Sequence, residues 1–227
     1  KWSFTGNPVR QNIIDLVDRD NPANQAAVRA RFGLQPNLPV VFVTGGSLGA
    51  RTINEALFVG LVTLAKAGVQ VIWQMGLPFA KTHGEAINQL INDHGDVFLQ
   101  EGSPRIFHAP FIYDMDDAYL ASDVVISRAG AISISEIAVV GRAAVLVPSP
   151  NVTDDHQTKN ARVLSDLGAA ILVTDKMASE TLITETLALL KDTKKQAEMQ
   201  EKLKGIAKPS ATETIVNIIE TCLQKGG

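Results

Sequence analysis

A single cysteine, Cys222, stands among the 227 residues. That excludes an internal disulfide and a cysteine metal cluster, and it suits a reducing compartment. Long apolar runs are also lacking. Nothing approaches the ~18 uninterrupted apolar residues of a membrane-spanning helix, and no basic start followed by an apolar stretch reads as a secretion signal. Charge of one sign does not dominate either: 21 basic and 24 acidic residues give a formal net charge of −3. Neither nucleic acid nor an anionic membrane is therefore expected as the main partner. His83, His94, His108 and His156 show no zinc spacing, and no metal or resident cofactor is expected. Aromatic residues make up only 5% of the chain. There is no initiator methionine, and Lys1-Trp2-Ser3-Phe4 reads as a chain that starts mid-protein.

What is present is ordinary globular material, 45% hydrophobic and 20% charged, with a length that suits one large domain or one and a half. Short apolar runs alternate with longer amphipathic segments from residue 39 onward. The strand-like runs are Val40–Val43, Val69–Trp73, Val97–Leu99, Ile106–Phe111, Val124–Ile126, Ala144–Val147 and Ala170–Val173. Helical spacing predicts helices over Ala50–Ala67, Lys81–Asp93, Met115–Leu120, Ile132–Val140 and His156–Leu167. Strands apolar on both faces and separated by helices indicate an α/β fold: a doubly wound parallel sheet covered on both sides. Past residue 177 only helical spacing remains, over 179–191, 193–205 and 211–224, with Ser210 placed to cap the last.

In such sheets ligands bind outside the carboxyl ends of the strands, and three of those turns stand out. Thr44-Gly45-Gly46-Ser47-Leu48-Gly49-Ala50 follows a buried strand. Its glycines allow close backbone approach and the next helix favours an anion, with Ser47 as a hydroxyl donor; a plain tight turn fits equally well. Ser127–Glu136 also runs strand into helix. Glu136 there can accept two hydrogen bonds from a vicinal diol such as ribose, but Ser133-x-x-Glu136 matches a capping box, which spacing alone favours. In Pro148–Ala161, an Asp is expected to cap the helix, and Gln157 and Asn160 lie three apart on one helix face, where two amides can read sugar hydroxyls or simply face solvent. Asp114, Asp116 and Asp117 read as a cap with acidic first-turn residues rather than a metal site. Their lead-in, Phe111-Ile112-Tyr113, offers a seat for a flat base.

Taken in order, Thr5–Arg10, Gly45–Arg51, Phe111–Met115, Ser127–Glu136 and Asp155–Ala161 resemble motifs of the MurG family of bacterial peptidoglycan glycosyltransferases. The resemblance runs over essentially the whole chain and is to the carboxyl-terminal half of that family. It implies a GT-B enzyme with two Rossmann-like domains, of which this is the donor-binding one. Residues 1–38 would be an interdomain connector with a first helix, 39–210 the donor domain, and 211–227 a helix crossing to the other domain. The implied donor is UDP-N-acetylglucosamine (UDP-GlcNAc). Matched by position, Arg10 and Ser47 would contact it and the backbone of Ile112 would meet the uracil. Ala131, Ile132, Ser133, Ile134, Ser135 and Glu136 would hold the diphosphate-sugar, with Glu136 on the ribose. Gln157 would bind N-acetylglucosamine, with Asn160 beside it. Ser133 stands where many members have Thr.

The resemblance further implies inverting transfer to the C4 hydroxyl of the muramyl sugar of lipid I, yielding lipid II for the cell wall. The family works as a peripheral enzyme at the cytoplasmic face of the bacterial cell membrane. The acceptor site, the membrane-docking patch and the group that deprotonates the acceptor belong to its amino-terminal domain, none of which is in this sequence. A soluble chain that binds UDP-GlcNAc or UDP without turnover is therefore expected. Two other readings are a non-catalytic donor-binding subunit of a split transferase, and a UDP-N-acetylglucosamine epimerase of related fold. Gly6-Asn7-Pro8-Val9-Arg10 argues against the epimerase.

Overall fold

The structure, a computed structural model, describes residues 2–226. Six parallel strands form one sheet: β1 (Val40–Thr44), β2 (Gln70–Gln74), β3 (Ile106–Ala109), β4 (Val124–Ser127), β5 (Ala143–Leu146) and β6 (Ile171–Leu172). Their order across the sheet is β3-β2-β1-β4-β5-β6, the Rossmann-like arrangement expected from the alternating pattern. β1 sits beside both β2 and β4, with Phe42 in register with Ile72 and Val125.

The period of two divides each strand between two cores. Val40, Phe42, Ile72, Val125 and Ala144 face one side, where they meet α1 (Gln11–Ile14), α2 (Leu16–Arg19), α3 (Pro22–Arg31), α7 (Met115–Ala121), α8 (Ala131–Val140) and α9 (His156–Asp166). Val41, Val43, Val71, Trp73, Ile126 and Val145 face the other, against α4 (Arg51–Lys66), α5 (Leu77–Asp93) and α10 (Ala178–Lys191). Helix α11 (Thr193–Ile206) gives Leu203 to the first core and Met199 to the second. Helices α4 and α10 approach closely: a Cβ added at Gly60 would lie 2.4 Å from Ile183 Cγ1.

Two local expectations need correction. Val97-Phe98-Leu99 is not a strand, because Gly95–Phe98 forms a short helix, α6. Phe98 is buried there and Leu99 exposed, so this run covers no sheet face. Helix α5 also starts four residues before the expected Lys81, with Pro78 in its first turn, where a missing N–H costs nothing.

The segment before β1 carries three short helices, and Val9, Ile13, Leu16 and Val28 enter the first core. Two arginine clamps hold it there. Arg142 donates to both carboxylate oxygens of Asp20, at 2.8 and 2.7 Å. Arg29 grips Asp123 and the carbonyl of Ala121, while Asp123 also accepts the Val40 N–H. Burial works to raise the Asp20 carboxyl, but the Arg142 hydrogen bond and charge outweigh it and hold it below the ordinary carboxylate value. At the other end, helix α12 (Ala211–Gly226) buries Ala211 but leaves Val216, Ile219 and Leu223 bare. Among the described residues no helix is long and apolar enough to cross a membrane.

Candidate functional site

The strand order reverses direction between β1 and β4, so the connections leaving their carboxyl ends run to opposite sides and open a crevice there. A cavity of about 310 Å³ occupies it, lined from the β1, β2, β3 and β4 ends and from the amino-terminal segment. Its walls include Pro8, Arg10, Thr44, Gly46, Ser47, Gln74, Phe111, Met115, Tyr119, Ile132, Ser133 and Glu136.

The β1–α4 loop is held by backbone necessity. Gly49 has φ +76°, and a Cβ there would sit 2.1 Å from the carbonyl oxygen of Met75, so no other residue fits. Thr44 Oγ1 accepts the Gly46 N–H at 3.2 Å and tightens the turn beneath Ser47. Helix α8 starts directly from the cavity wall. Its N-cap is Gly130 and no side chain caps its first turn, while Ile132 and Ser133 line the cavity. Uncapped N–H groups and the positive end of the helix dipole favour an anion there.

Gln74, at the end of β2, joins the loops on two sides of the cavity. Its Nε2 donates to Thr44 Oγ1 (3.2 Å) and the Gly46 carbonyl (3.1 Å), and its Oε1 accepts the Ile112 N–H at 2.9 Å. Only one amide orientation satisfies all three partners. The Ile112 N–H is thus engaged within the protein, its side chain is buried, and Phe111 rather than Ile112 lines the cavity. Phe111 and Tyr113 pack edge to face at 4.9 Å beside the opening.

Glu136 does not close a capping box. Because α8 begins at Ala131, Ser133 lies inside the helix, and no side-chain cap bond forms. Glu136 turns inward, its side chain only 7% exposed. Its Oε1 accepts from Arg10 Nε (3.2 Å) and Nη2 (2.9 Å), and its Oε2 from the Tyr119 hydroxyl (3.2 Å). Burial, then the Glu136 charge and hydrogen bond, push the Tyr119 phenol well above its ordinary value, with Arg10 opposing weakly.

The expected site residues therefore divide. Arg10, Ser47, Ile132, Ser133 and Glu136 share the cavity, and Ile112 backs it through Gln74. Ala131, Ile134, Ser135 and Asn160 line a second, larger hollow of about 710 Å³ between the amino-terminal segment, α8, α9 and the α11–α12 link. The two hollows share α8 as a wall. Asn7 reaches across to Ser135 Oγ at 3.1 Å, and Asn160 Nδ2 donates to the Ala129 carbonyl at 3.2 Å. Gln157 lines neither hollow; its Oε1 accepts the Ser149 N–H and steadies the β5–α9 loop. Asp155 precedes α9 in the left-handed region (φ 51°) and makes no side-chain cap bond.

Asp114 is the N-cap of α7 without a side-chain bond, and Asp116 and Asp117 pair with Arg19 and Arg31. Among the described residues no group of three or more His, Cys, Asp or Glu side chains gathers as a metal site. Sequence reasoning missed Gln74 and Tyr119. A polar residue ending an otherwise apolar strand was the available sign for Gln74. Tyr119 carries no local sign, since its partner lies on another helix.

Comparison with known proteins follows the same lines. The chain is 44% identical over 217 residues to the UDP-N-acetylglucosamine–N-acetylmuramyl-(pentapeptide) pyrophosphoryl-undecaprenol N-acetylglucosamine transferase of Cytophaga hutchinsonii, covering 96% of this chain and 53% of that protein. The Porphyromonas gingivalis enzyme of the same name is 41% identical over 220 residues, covering 96% and 54%. Among solved structures, Acinetobacter baumannii MurG superposes with a TM-score of 0.69 at 33% identity, over 87% of this chain and 53% of that one. The chain thus spans about half the length of the curated relatives it matches. The glycosyltransferase family 28 C-terminal domain matches residues 40–215, three quarters of the molecule including every strand, and the chain belongs to that family.

Proposed function

We propose that this chain binds a uridine diphosphate sugar, UDP-GlcNAc, at the β1/β4 crevice, as the donor-binding half of an inverting transferase that forms lipid II from lipid I. One observation carries the reading. A single cavity brings together a glycine-rich loop with Ser47, the uncapped start of α8, a cation and a buried carboxylate. Those are the groups a nucleoside diphosphate requires: N–H donors and positive charge for the phosphates, and an acceptor for the ribose hydroxyls. The sugar would extend along α8 toward Ala131, Ser135 and Asn160, and the uracil toward Phe111 and the Ile112 backbone.

In the transfer step the muramyl C4 hydroxyl attacks C1 of N-acetylglucosamine, the C1–O bond to the diphosphate breaks, and UDP departs with the negative charge. The α8 N-terminus and Arg10 stabilise that charge as it develops, an electrostatic contribution made by groups already in place. The base that takes the C4 proton belongs to the part of the relatives' length outside this chain. So does contact with the lipid acceptor at the cytoplasmic face of the membrane.

Calorimetric titration with UDP-GlcNAc, and separately with UDP, tests the reading. Glu136→Ala is expected to weaken binding by about 1.5–3 kcal/mol, roughly 10- to 150-fold, the range of hydrogen bonds to a charged group. Unchanged affinity with lowered thermal stability would make Glu136 a structural residue only. Lipid II formation by the chain alone would overturn the assignment of the base elsewhere. A second reading is a donor-binding subunit that works with a separate partner. Continuous coding upstream of Lys1 would rule that out.

A further inference from the structure

The carboxylate of Glu136 has two partners of different kinds. Arg10 stands on the segment before α1 with its side chain half exposed, free to turn toward a phosphate. Tyr119 has no such freedom. Its ring is fully buried in the first core and packs edge to face on Phe42, at 5.3 Å and 87°. Its hydroxyl reaches Glu136 Oε2 at 3.2 Å from α7, 17 residues earlier in the chain.

We infer that Tyr119 is the positioning residue for Glu136, holding Oε2 so that the carboxylate presents its remaining acceptor capacity to the two hydroxyls of a ribose. This rests on the proposed nucleotide reading and deepens it to a selectivity for ribo- over 2′-deoxyribonucleotides. A carboxylate has about four acceptor positions. Within the protein, Arg10 takes two on Oε1 and Tyr119 one on Oε2. A vicinal diol needs two, so Arg10 must yield at least one while Tyr119 stays. Without the phenol, Glu136 keeps only its exposed partner and can rotate with Arg10, and the diol then meets an acceptor that is not aimed. Burial raises the Tyr119 phenol well above its ordinary value, which keeps it protonated and a donor.

The test uses the 227-residue chain and four titrations: wild type and Tyr119→Phe, each with UDP and 2′-deoxy-UDP. Wild type is expected to prefer UDP by about tenfold or more, as a charge-assisted hydrogen bond gives. Tyr119→Phe is expected to cut that preference to about threefold or less, with UDP weakened more than 2′-deoxy-UDP, which keeps only the 3′-hydroxyl for Glu136. If both ligands weaken equally and the preference survives, Tyr119 is only structural and the inference is overturned. If wild type binds UDP without preferring it, the inference also fails, but through Glu136, and nucleotide binding still stands. If wild type does not bind UDP, the whole reading fails. A second measurement leaves Tyr119 in place. The chain has two tyrosines, so in a Tyr113→Phe background labelled with 3-fluorotyrosine, Tyr119 gives the only fluorine signal. That signal is expected to move more with UDP than with 2′-deoxy-UDP; equal movement would overturn the inference.

Discussion

Replacing Gln74 with Met removes the joint between two loops of the cavity while keeping the volume of the side chain. Three hydrogen bonds are lost, but their consequences differ. Thr44 Oγ1 still receives the Gly46 N–H, and the carbonyl of Gly46, an exposed residue, meets water. The Ile112 N–H is left beside a buried side chain with no acceptor, and an unsatisfied buried donor costs about 1–3 kcal/mol. Adding the two weaker losses, the expected destabilisation is about 2–3 kcal/mol. That is a fall in Tm of roughly 5–10 °C for a chain of this size. Gln74→Glu keeps the acceptor for Ile112 but buries a carboxylate whose second oxygen meets the Gly46 carbonyl oxygen, so it is expected to cost at least as much stability as Gln74→Met. Urea denaturation with an unchanged m-value reads both. UDP titration then shows whether the Phe111 and Ser47 loops still act together. A loss below about 0.5 kcal/mol in Gln74→Met would refute the claim that the amide holds the joint.

Two more expectations follow from packing and charge. Gly60→Val drives new methyl groups into Ile183 where a Cβ alone is already 2.4 Å from Cγ1; overpacking of about 1–3 kcal/mol is expected, read by denaturation, and a compensating Ile183→Ala should recover much of it. His108, whose Nε2 meets Asn88 Oδ1 at 3.1 Å, is pushed below its ordinary value of 6.5 by burial. The unfolded chain therefore binds the proton first, and the stability contributed by neutral His108 is full above about pH 6.5 and falls as the pH drops below it. His108→Gln should flatten stability between pH 7 and 5, and an unchanged pH profile would contradict this.

The sheet was legible because buried parallel strands leave an unmistakable trace: Val40–Val43 and Val124–Ile126 are apolar on both faces, and each is followed by a glycine-bearing turn. Val97-Phe98-Leu99 misled for the same reason. Three apolar residues in a row carry no period, and only tertiary packing decides that Phe98 anchors a single helical turn. The cavity was partly legible. Ser47 and Glu136 stood out by their place after strands, but the capping-box pattern at Ser133–Glu136 competed with a helix start set three residues earlier by Gly130. What could not be read was pairing across the fold. Nothing local in Arg10, Tyr119 or Gln74 says that they meet Glu136, Gly46 and Ile112. Gln157, singled out by its spacing, braces the β5–α9 loop, a contact that its spacing with Asn160 does not announce.

Arg10 and Glu136 are 126 residues apart in the chain, and the cavity walls between them come from four strand ends. Closing so long a span is slow and entropically costly until many intervening contacts exist. In a polypeptide emerging from the ribosome this cavity therefore has no complete wall until β4 and α8 have been synthesised and β4 has taken its position beside β1.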